Sequence, residues 1–224
     1  MRFSKVVALA FVGLVFSFSA SVSQALDQEW EAGKHYEVLP VPVQTGDQTS
    51  VEVVEMFSYA CIHCYSFEPD LIKWRSTAPA GVKFLRIPAV FNADWQLMAQ
   101  AYFTAEVLSV VDKVHEHLFN AIHVESRDLR DPAVMAEVFE KHAGIKPEQF
   151  NEVYNSFSVR TLVNQAVAKG RAYKITGVPT LIVNGKYRVD GQLAGDNTRM
   201  LKVVDFLIEK ERSLTGDNAK AVTH

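Results

Sequence analysis

This chain carries both of its cysteines in the segment Val51-Glu-Val-Val-Glu-Met-Phe-Ser-Tyr-Ala-Cys61-Ile-His-Cys64-Tyr-Ser-Phe-Glu68. The first part of the segment, 51–57, is rich in β-branched and apolar residues, which predicts a buried strand. Beyond the cysteines, Phe67, Leu71 and Trp74 recur at helical spacing, which predicts a helix over about 61–76. The cysteine pair therefore falls between a core strand and the first turn of a helix.

The spacing of the two cysteines is typical of a redox-active pair. Cys61 and Cys64 on one helical turn are close enough to form a disulfide with each other. The thiol of Cys61 would project from the helix N-terminus, where unpaired backbone N–H groups and the positive end of the helix dipole favour its thiolate. Since the thiolate is the nucleophile of disulfide exchange, we predict that Cys61 attacks and Cys64 resolves. His63 adds a positive charge when protonated and a hydrogen-bond donor when neutral.

Two other interpretations of the pair stay open on these grounds alone. One is a purely structural disulfide, although a loop this short restrains little of the unfolded chain and so stabilises weakly. The other is half of a metal site, although the sequence has no second C-x-x-C motif and no H-x-x-x-H pair near the cysteines. We favour the redox interpretation, because it needs neither a long loop nor further ligands.

Composition places the chain among ordinary globular proteins. It has 224 residues, of which 48% are apolar and 22% are charged, and this balance excludes a disordered or fibrous chain. The formal net charge of −3 excludes the basic footprint of a nucleic-acid-binding protein. Two cysteines are too few for a disulfide-stapled miniprotein or a four-cysteine zinc site. The length allows one domain, or two at most.

The N-terminus has the pattern of a secretory signal peptide. Arg2 and Lys5 form a short basic start, an apolar run follows over 6–18, and small and polar residues lead to Ala25. The apolar run is shorter than the ~20 residues that a membrane-spanning helix needs. We therefore expect cleavage after Ala25 and export to a compartment in which disulfides persist.

Further along the chain, strand patterns give way to helices and then return. A second strand is predicted over 82–87, closed by Pro88. Asn184-Gly185 later joins two short strands as a hairpin, 181–183 and 186–189. Helices are predicted over about 94–108, 112–122, 132–142, 148–154, 158–173 and 196–212. This order predicts an α/β fold, in which helices flank a mixed central sheet and an all-helical segment interrupts it.

The chain resembles the thioredoxin superfamily and, within it, the DsbA family of exported thiol oxidases. The resemblance covers essentially the whole mature chain and rests on the C-x-H-C motif within 55–68, the helical insert, and Gly177-Val178-Pro179 before the hairpin. It implies a thioredoxin-like fold interrupted by a helical insertion domain. The units implied in this sequence are a signal peptide over 1–25, a thioredoxin-like domain over 26–91 and 158–213, an insertion domain over 92–157, and a flexible tail over 214–224.

The resemblance also implies an activity and its partners. A member of this family is a monomeric periplasmic oxidoreductase that donates its Cys61–Cys64 disulfide to reduced, unfolded secreted proteins through a mixed disulfide. It uses no cofactor or metal, and a DsbB-like quinone-linked membrane protein reoxidises it. The Val178–Pro179 bond would be cis and beside the cysteines, which leaves the Val178 backbone free to pair with a substrate strand. Where the family usually has Pro-His between its cysteines, this chain has Ile62-His63, and that dipeptide tunes the redox poise.

Glu55 completes the candidate catalytic residues, with Cys61, Cys64 and His63. Alternation along the first strand puts Glu55 on the same face as Val51, Val53 and Phe57. Burial among them would raise the pKa of this carboxyl and make it a proton acceptor for a thiol, whereas the alternative is a solvated face.

Several other residues are interpreted as surface or packing residues, namely Arg86, His115, His117 and His123. A last group forms either core or an apolar collar for unfolded chains, namely Tyr59, Ala60, Tyr65 and Phe91.

Two functions compete with that of an oxidase. A disulfide isomerase or reductase would run the same chemistry in the opposite direction. Exported isomerases usually carry an N-terminal dimerisation domain, and the roughly 25 residues between Ala25 and the first core strand leave no room for one. A chaperone-like binding module, in contrast, would carry its cysteines incidentally and would show no cysteine-dependent turnover.

Overall fold

The structure is a computed structural model that describes residues 30–47 and 49–221. The predicted signal peptide over 1–25 lies outside the described residues. Within them, five strands form one sheet: β1 (Glu37–Val38), β2 (Val51–Phe57), β3 (Val82–Pro88), β4 (Thr180–Val183) and β5 (Tyr187–Asp190).

The sheet is mixed, with the strand order β1-β5-β4-β2-β3. Strand β2 pairs in parallel with β3 and antiparallel with β4, so it is central. Strands β4 and β5 form the predicted hairpin, and its turn residues Asn184 and Gly185 both have positive φ, 50° and 62°, as a type I′ turn requires. A side chain at position 185 would collide with the Val43 carbonyl oxygen, so only glycine fits there. The predicted mixed sheet is confirmed.

Helices cover both faces of the sheet. In chain order they are α1 (Ile62–Thr77), α2 (Ala93–Val107), α3 (Val111–His123), α4 (Pro132–Ala143), α5 (Pro147–Tyr154), α6 (Phe157–Ala172), α7 (Gly191–Ala194) and α8 (Asn197–Ala221). Local sequence signals determine where helices begin and end, as in α4. Asp131 accepts a hydrogen bond from the Ala133 N–H with Pro132 at the first helical position, and Gly144 ends the same helix with φ 71°.

Three features differ from the sequence prediction. Strand β1 has only two residues, too few for an alternating pattern, and it exists because Glu37 and Val38 pair with β5. The short helix α7 forms because the Asp190 side chain accepts hydrogen bonds from the N–H groups of Gln192 and Leu193. Helix α8 continues to Ala221, whereas the prediction ended it near 212 and expected a flexible tail from 214. The extension contains no proline, so nothing in it blocks helical hydrogen bonds.

The core lies in two layers, one on each face of the sheet. Val53 and Leu181 face Phe67 and Leu71 of α1 and the apolar side of α8. On the other face, residues such as Met56 pack with the helices α2 to α6. All seven residues of β2 are buried, including its two glutamates. The C-terminal end of this buried strand leads directly to Cys61.

Candidate active site

Cys61 lies where β2 gives way to α1. After the strand the chain turns at Ser58, whose carbonyl accepts the Cys61 N–H at 3.0 Å and whose hydroxyl accepts the Ala60 N–H at 3.2 Å. Cys61 is the N-cap residue of α1, with an extended backbone (φ −91°, ψ 113°), and no acidic residue stands in the first turn. The end of β2 therefore delivers a thiol to the positive end of a helix without a competing negative charge there.

The two cysteines differ in exposure and in acidity. Cys61 is half-buried and Cys64 is fully buried, and both are free thiols in this structure. A hydrogen bond from the Cys64 thiol lowers the pKa of Cys61 to about 6 against the opposing effect of burial, with help from backbone N–H groups and the charge of His63. Burial, the contact with Cys61 and the charge of Glu55 raise the pKa of Cys64. At neutral pH the accessible sulfur is thus a thiolate and the buried one a thiol.

The loop before β4 lies against the accessible sulfur. The Val178 carbonyl oxygen is 3.4 Å from the Sγ of Cys61, within reach of a hydrogen bond from its thiol. The Val178–Pro179 bond is cis, as the resemblance implied. The Thr180 hydroxyl donates to the Gly177 carbonyl at 2.8 Å and holds the loop in place. A polypeptide that pairs with this loop would come within reach of Cys61.

The residues between the cysteines face solvent. The Ile62 side chain is 52% exposed, and His63 is also exposed. His63 borders a groove of about 650 Å³ whose other walls are the loop 176–179 and residues of the segment 190–197. We call this the α7 groove. His63 therefore borders a surface on which a partner can lie.

Glu55 belongs to a chain of buried charges beneath the cysteines. Its Oε2 accepts from Arg86 Nε at 2.9 Å, and its Oε1 has no hydrogen-bond partner among the described residues. Burial raises the pKa of Glu55 to about 7 although the charge of Arg86 opposes this. Arg86 also donates from Nη2 to both oxygens of Glu68, at 2.9 and 2.8 Å. The alternative of a solvated face for Glu55 is wrong, because the side chain is fully buried.

The prediction that Arg86 is a surface charge is also wrong. Its side chain is only 7% exposed. The parallel register of β2 and β3 places Arg86 directly beside Glu55, and α1 brings Glu68 over both. The guanidinium is therefore buried because two carboxylates bind it, which a reading of the β3 segment by itself does not reveal.

His115 and Tyr59 extend this chain into the helical segment. His115 Nδ1 lies 2.8 Å from the Tyr59 hydroxyl, and its Nε2 lies 3.3 Å from Glu68 Oε1. Burial lowers the pKa of His115 and outweighs the hydrogen bond to Glu68. Tyr59 is buried, so it belongs to the core and not to an exposed collar. The polar chain thus runs from β2 through α1 to α3.

The other residues of interest fall in different surroundings. His117 stacks on His142 with ring centroids 3.4 Å apart, so it does point away from His115. The predicted spread is wrong for His123, which stacks on Tyr65 at 5.0 Å and, like His115, contacts Tyr59 and Phe119. Of the remaining collar candidates, Ala60 and Tyr65 are half-buried, and Phe91 is 46% exposed. In the part of the chain that the structure describes, no three His, Cys, Asp or Glu side chains form a group that could hold a metal ion.

Sequence reasoning missed Glu68 and underrated His115 as members of the polar chain. Both positions carried a usable signal. Glu68 is four residues after Cys64, so both lie on the buried face of α1. His115 shares the buried face of α3 with Leu118 and Phe119. A charged or polar residue at a buried helical position needs a partner, and here the partners come from other elements.

No helix in the described ranges is both long and apolar enough to cross a bilayer.

The profile of a family described as "DSBA-like thioredoxin domain" matches residues 75–203. The thiol:disulfide interchange protein DsbA of Pseudomonas aeruginosa (strain PAO1) is 43% identical over 185 residues, which are 83% of this chain and 87% of that protein. The DsbA of Azotobacter vinelandii is 39% identical over 199 residues, 89% of this chain and 92% of that one.

Solved structures agree with the sequence comparison. The crystal structure of Pseudomonas aeruginosa DsbA is 42% identical and superposes with a TM-score of 0.80, covering 86% of this chain and 98% of that one. The oxidoreductase DsbA from Xylella fastidiosa is 31% identical, with a TM-score of 0.76 over 82% of this chain and 98% of that one. With these likenesses and a C-x-x-C pair at a helix N-terminus, the chain belongs to the DsbA family of thiol:disulfide oxidoreductases, with the thioredoxin-like fold of that family.

Proposed function

We propose that this oxidoreductase works as an exported oxidase, which donates its Cys61–Cys64 disulfide to reduced proteins. The observation that carries the proposal is the contrast between an accessible Cys61 with a pKa of about 6 and a buried Cys64 with a raised pKa. Stabilising the Cys61 thiolate stabilises the reduced form and has no counterpart in the disulfide form. A protein that is more stable reduced than oxidised passes its disulfide on.

The reaction proceeds in two exchanges. A substrate thiolate attacks the Sγ of Cys61 in the oxidised pair, because Cys64 is buried; the Cys61–Cys64 bond breaks and a mixed disulfide forms. A second substrate thiolate then attacks the substrate sulfur of the mixed disulfide and releases Cys61 as a thiolate. The substrate loses two electrons and gains a disulfide, and the protein ends with a Cys61 thiolate and a Cys64 thiol.

Glu55 serves as the proton-transfer residue of this reaction. Cys64 leaves with the electron pair of the broken bond and needs a proton, because its pKa is raised. Glu55 has a pKa of about 7, an unpartnered oxygen, and a charge that acts on Cys64. A carboxyl with that pKa is protonated in about half of the molecules at neutral pH, so it can give a proton to Cys64 and take one back on reoxidation. His63 stabilises the Cys61 thiolate through its charge.

The substrate pairs with the backbone of Val178, next to Pro179, while its cysteine meets Cys61. Two observations support this: the Val178 carbonyl lies 3.4 Å from the sulfur, and Gly177 before it is exposed. The proposed substrates are unfolded proteins newly secreted into the periplasm, and the proposed reoxidant is a DsbB-like quinone-linked membrane protein. Relatives named thiol:disulfide interchange protein DsbA support a partner that exchanges thiols and disulfides with this chain. We take the working form to be a monomer.

The domain boundaries belong to the same proposal. A thioredoxin-like domain over 26–91 and 158–213 is supported by the positions of the strands, which all fall inside it among the described residues. An insertion domain over 92–157 is supported by the uninterrupted series of helices α2 to α5. The insertion contributes His115 to the buried polar chain, so the two units meet directly beneath the cysteines.

A trapping experiment tests the proposed roles of the two cysteines. The Cys64→Ala variant should accumulate mixed disulfides with secreted proteins that contain a disulfide, because its Cys61 thiolate displaces one of the two substrate sulfurs as a thiolate and no second cysteine can then release Cys61. The Cys61→Ala variant is the matched control and should trap almost nothing, since Cys64 is buried. Traps that form only in Cys61→Ala would reverse the roles. Equal capture by a variant with both cysteines replaced would indicate a binding module without redox chemistry.

A further inference from the structure

Two grooves of opposite charge flank the loop that faces Cys61. The first is the α7 groove, which includes Asp190 and Asp196. The second has a volume of about 490 Å³ and lies between the loop after β3, the end of α6 and residues 174–176. We call it the α6 groove. Thr176, an exposed residue, borders both.

The α6 groove combines apolar walls with a basic rim. Phe91, which is 46% exposed, and the half-buried Val90 and Ile175 supply apolar surface. Arg171 and Lys174 line the same groove, and both side chains are exposed. Within the described part of the chain, neither side chain has an ion-pair partner. The groove thus offers two unpaired positive charges beside an apolar surface.

Compensation of the helix dipole does not by itself explain this arrangement. Basic residues are common in the last turn of a helix, and Lys169 and Arg171 both stand there in α6. Lys174 lies beyond the helix, with a left-handed backbone (φ 51°) that is uncommon for a residue other than glycine. Arg188 donates a hydrogen bond to the Lys174 carbonyl and holds that conformation. The fold therefore fixes the backbone of Lys174 beside the groove after the helix has ended.

The position of the groove relates it to a substrate strand. Val178 faces Cys61, and Thr176 is two residues away along the exposed loop. A strand paired with the loop advances ~3.3 Å per residue, so substrate residues about two to four positions from the reacting cysteine pass Thr176. The two aspartates line the α7 groove, which meets the α6 groove at Thr176. An acidic side chain at these positions is drawn towards the α6 groove and away from the α7 groove.

We infer that the α6 groove is a substrate subsite, which selects an apolar residue next to an acidic one on one side of the reacting cysteine. This inference rests on the proposed function, because it requires a substrate strand at Val178. It assigns Arg171 and Lys174 as specificity-determining residues and Phe91 as the apolar wall. Charge at the rim of an interface mainly affects the association rate, so the selection should appear in the rate of mixed-disulfide formation.

Single-cysteine peptides test the inference with the oxidised protein. Each peptide carries one of three dipeptides, Leu-Glu, Leu-Lys or Leu-Gln. In one set the Glu, Lys or Gln is three positions before the cysteine, and in the other set it is three positions after it. On one of the two sides, the Glu peptide should react about fivefold faster than the Lys peptide at low salt, since exposed ion pairs contribute ~0.2–1 kcal/mol each. The difference should shrink at high salt.

Variants identify the residues responsible. A protein with Arg171→Glu and Lys174→Glu should reverse the preference, and one with Arg171→Gln and Lys174→Gln should abolish it. The Lys169→Glu variant is the matched control, because it changes charge at the same helix end but Lys169 does not line the groove. The Lys169→Glu variant should react with the Leu-Gln peptides at the wild-type rate. For each double variant, the rates with the Glu and Lys peptides are divided by its own rate with the Leu-Gln peptide, which separates selection from a loss of folding or of redox chemistry.

Three results would overturn the inference. Equal rates for Glu and Lys peptides on both sides of the cysteine would show that the groove selects nothing. An effect of Lys169→Glu as large as that of the double variants would show long-range attraction instead of a subsite. A failure of every peptide to form a mixed disulfide would refute the proposed function itself, and the subsite with it.

Discussion

Two buried glutamates at opposite ends of the sheet show how differently one residue type can behave. Glu211 of α8 accepts hydrogen bonds from Lys186 Nζ at 2.6 Å, from the Tyr187 hydroxyl at 3.0 Å and from the side chain of Asn184. Burial would raise its pKa, but these hydrogen bonds outweigh burial and lower it. Glu55, near the cysteines, has Arg86 on one oxygen and no partner on the other within the part of the chain that the structure describes, and its pKa rises to about 7.

The difference follows from the number of donors around each carboxylate. Glu211 keeps its charge at all physiological pH values and ties the hairpin to α8. Glu55 can change its charge near pH 7, because too few donors compensate for its loss of water. A fully satisfied buried acid is therefore structural, whereas an under-satisfied one beside a thiol is suited to proton transfer. Three predictions test this difference between the two glutamates and its consequence for the cysteines.

The largest expected effect is the loss of stability on removing Glu211. The Glu211→Leu variant leaves the donors of Asn184, Lys186 and Tyr187 without their acceptor. We expect unfolding free energy to fall by about 2–3 kcal/mol, less than for a fully buried ion pair because the lysine reaches solvent. Urea denaturation measures this loss, and the dependence of the unfolding free energy on urea concentration should stay unchanged. The rate of mixed-disulfide formation by the folded protein should not change.

A surface glutamate on the same helix is the control for this variant. Glu209 is 66% exposed and pairs with Arg212, so Glu209→Gln should change stability by less than about 0.5 kcal/mol. If Glu211→Leu slowed disulfide exchange in proportion to its loss of stability, Glu211 would affect the reaction as well as the fold. The contrast between a structural Glu211 and a reactive Glu55 would then fail.

The second prediction concerns proton transfer by Glu55. The Glu55→Gln variant keeps an acceptor for Arg86 but cannot carry the proton. We expect exchange with a reduced peptide to slow about tenfold near pH 7, at the low end for acid–base catalysis because water also supplies protons to thiols. Stopped-flow rates from pH 5.5 to 9 should lose an inflection near the pKa of Glu55, about 7.

The same variant has a predicted signature in stability. Folding raises the pKa of Glu55 from 4.5 to about 7, so its stabilising effect is complete below pH 4.5 and is lost as the pH rises through 7. The wild type should therefore lose stability relative to Glu55→Gln between pH 5 and 8. Glu52→Gln, a change of another buried glutamate on the same strand, is the control. If the inflection near pH 7 survived in Glu55→Gln but disappeared in Glu52→Gln, the proton would be carried by Glu52, and the role proposed for Glu55 would be wrong.

The smallest expected effect is the stability difference between the reduced and oxidised protein. Folding lowers the pKa of Cys61 from 9.0 to about 6, so the stabilisation of the reduced form is complete above the unfolded pKa and is lost as the pH falls through 6. At pH 7 we expect about 1 kcal/mol after allowance for partial exposure of the sulfur, or about 2–4 °C in melting temperature.

Calorimetry of both redox forms at pH 7 and pH 5 measures this difference. Reduction should raise the melting temperature at pH 7, and the gain should shrink at pH 5. The Cys61→Ala variant, which has no thiolate and no disulfide, should show no response to reductant. A more stable oxidised form at pH 7 would favour a reductase and would contradict the proposed direction of electron flow.

Local sequence signals were sufficient for most of the secondary structure. The Asp131-Pro132 start, the Asn184-Gly185 turn and the β-branched and apolar residues of 51–57 each act within a few residues, and the structure places a helix, a hairpin and a strand there. Strand β1 escaped prediction because its two residues have no pattern of their own and depend on pairing with β5. Helix α8 ran past its predicted end because its extension, although polar and interrupted by Gly216, contains no proline that would end it.

The spacing of Cys61 and Cys64 and the strand before them are enough to place both on one helical turn, with the first at the N-cap. What surrounds the two cysteines depends on how the whole chain packs. Arg86 lies beside Glu55 because two parallel strands are in register, and His115 reaches Glu68 because α3 packs on α1. Burial and charge pairing depend on residues distant in sequence, so the pKa of Glu55 is a property of the packed fold and not of the segment that contains it.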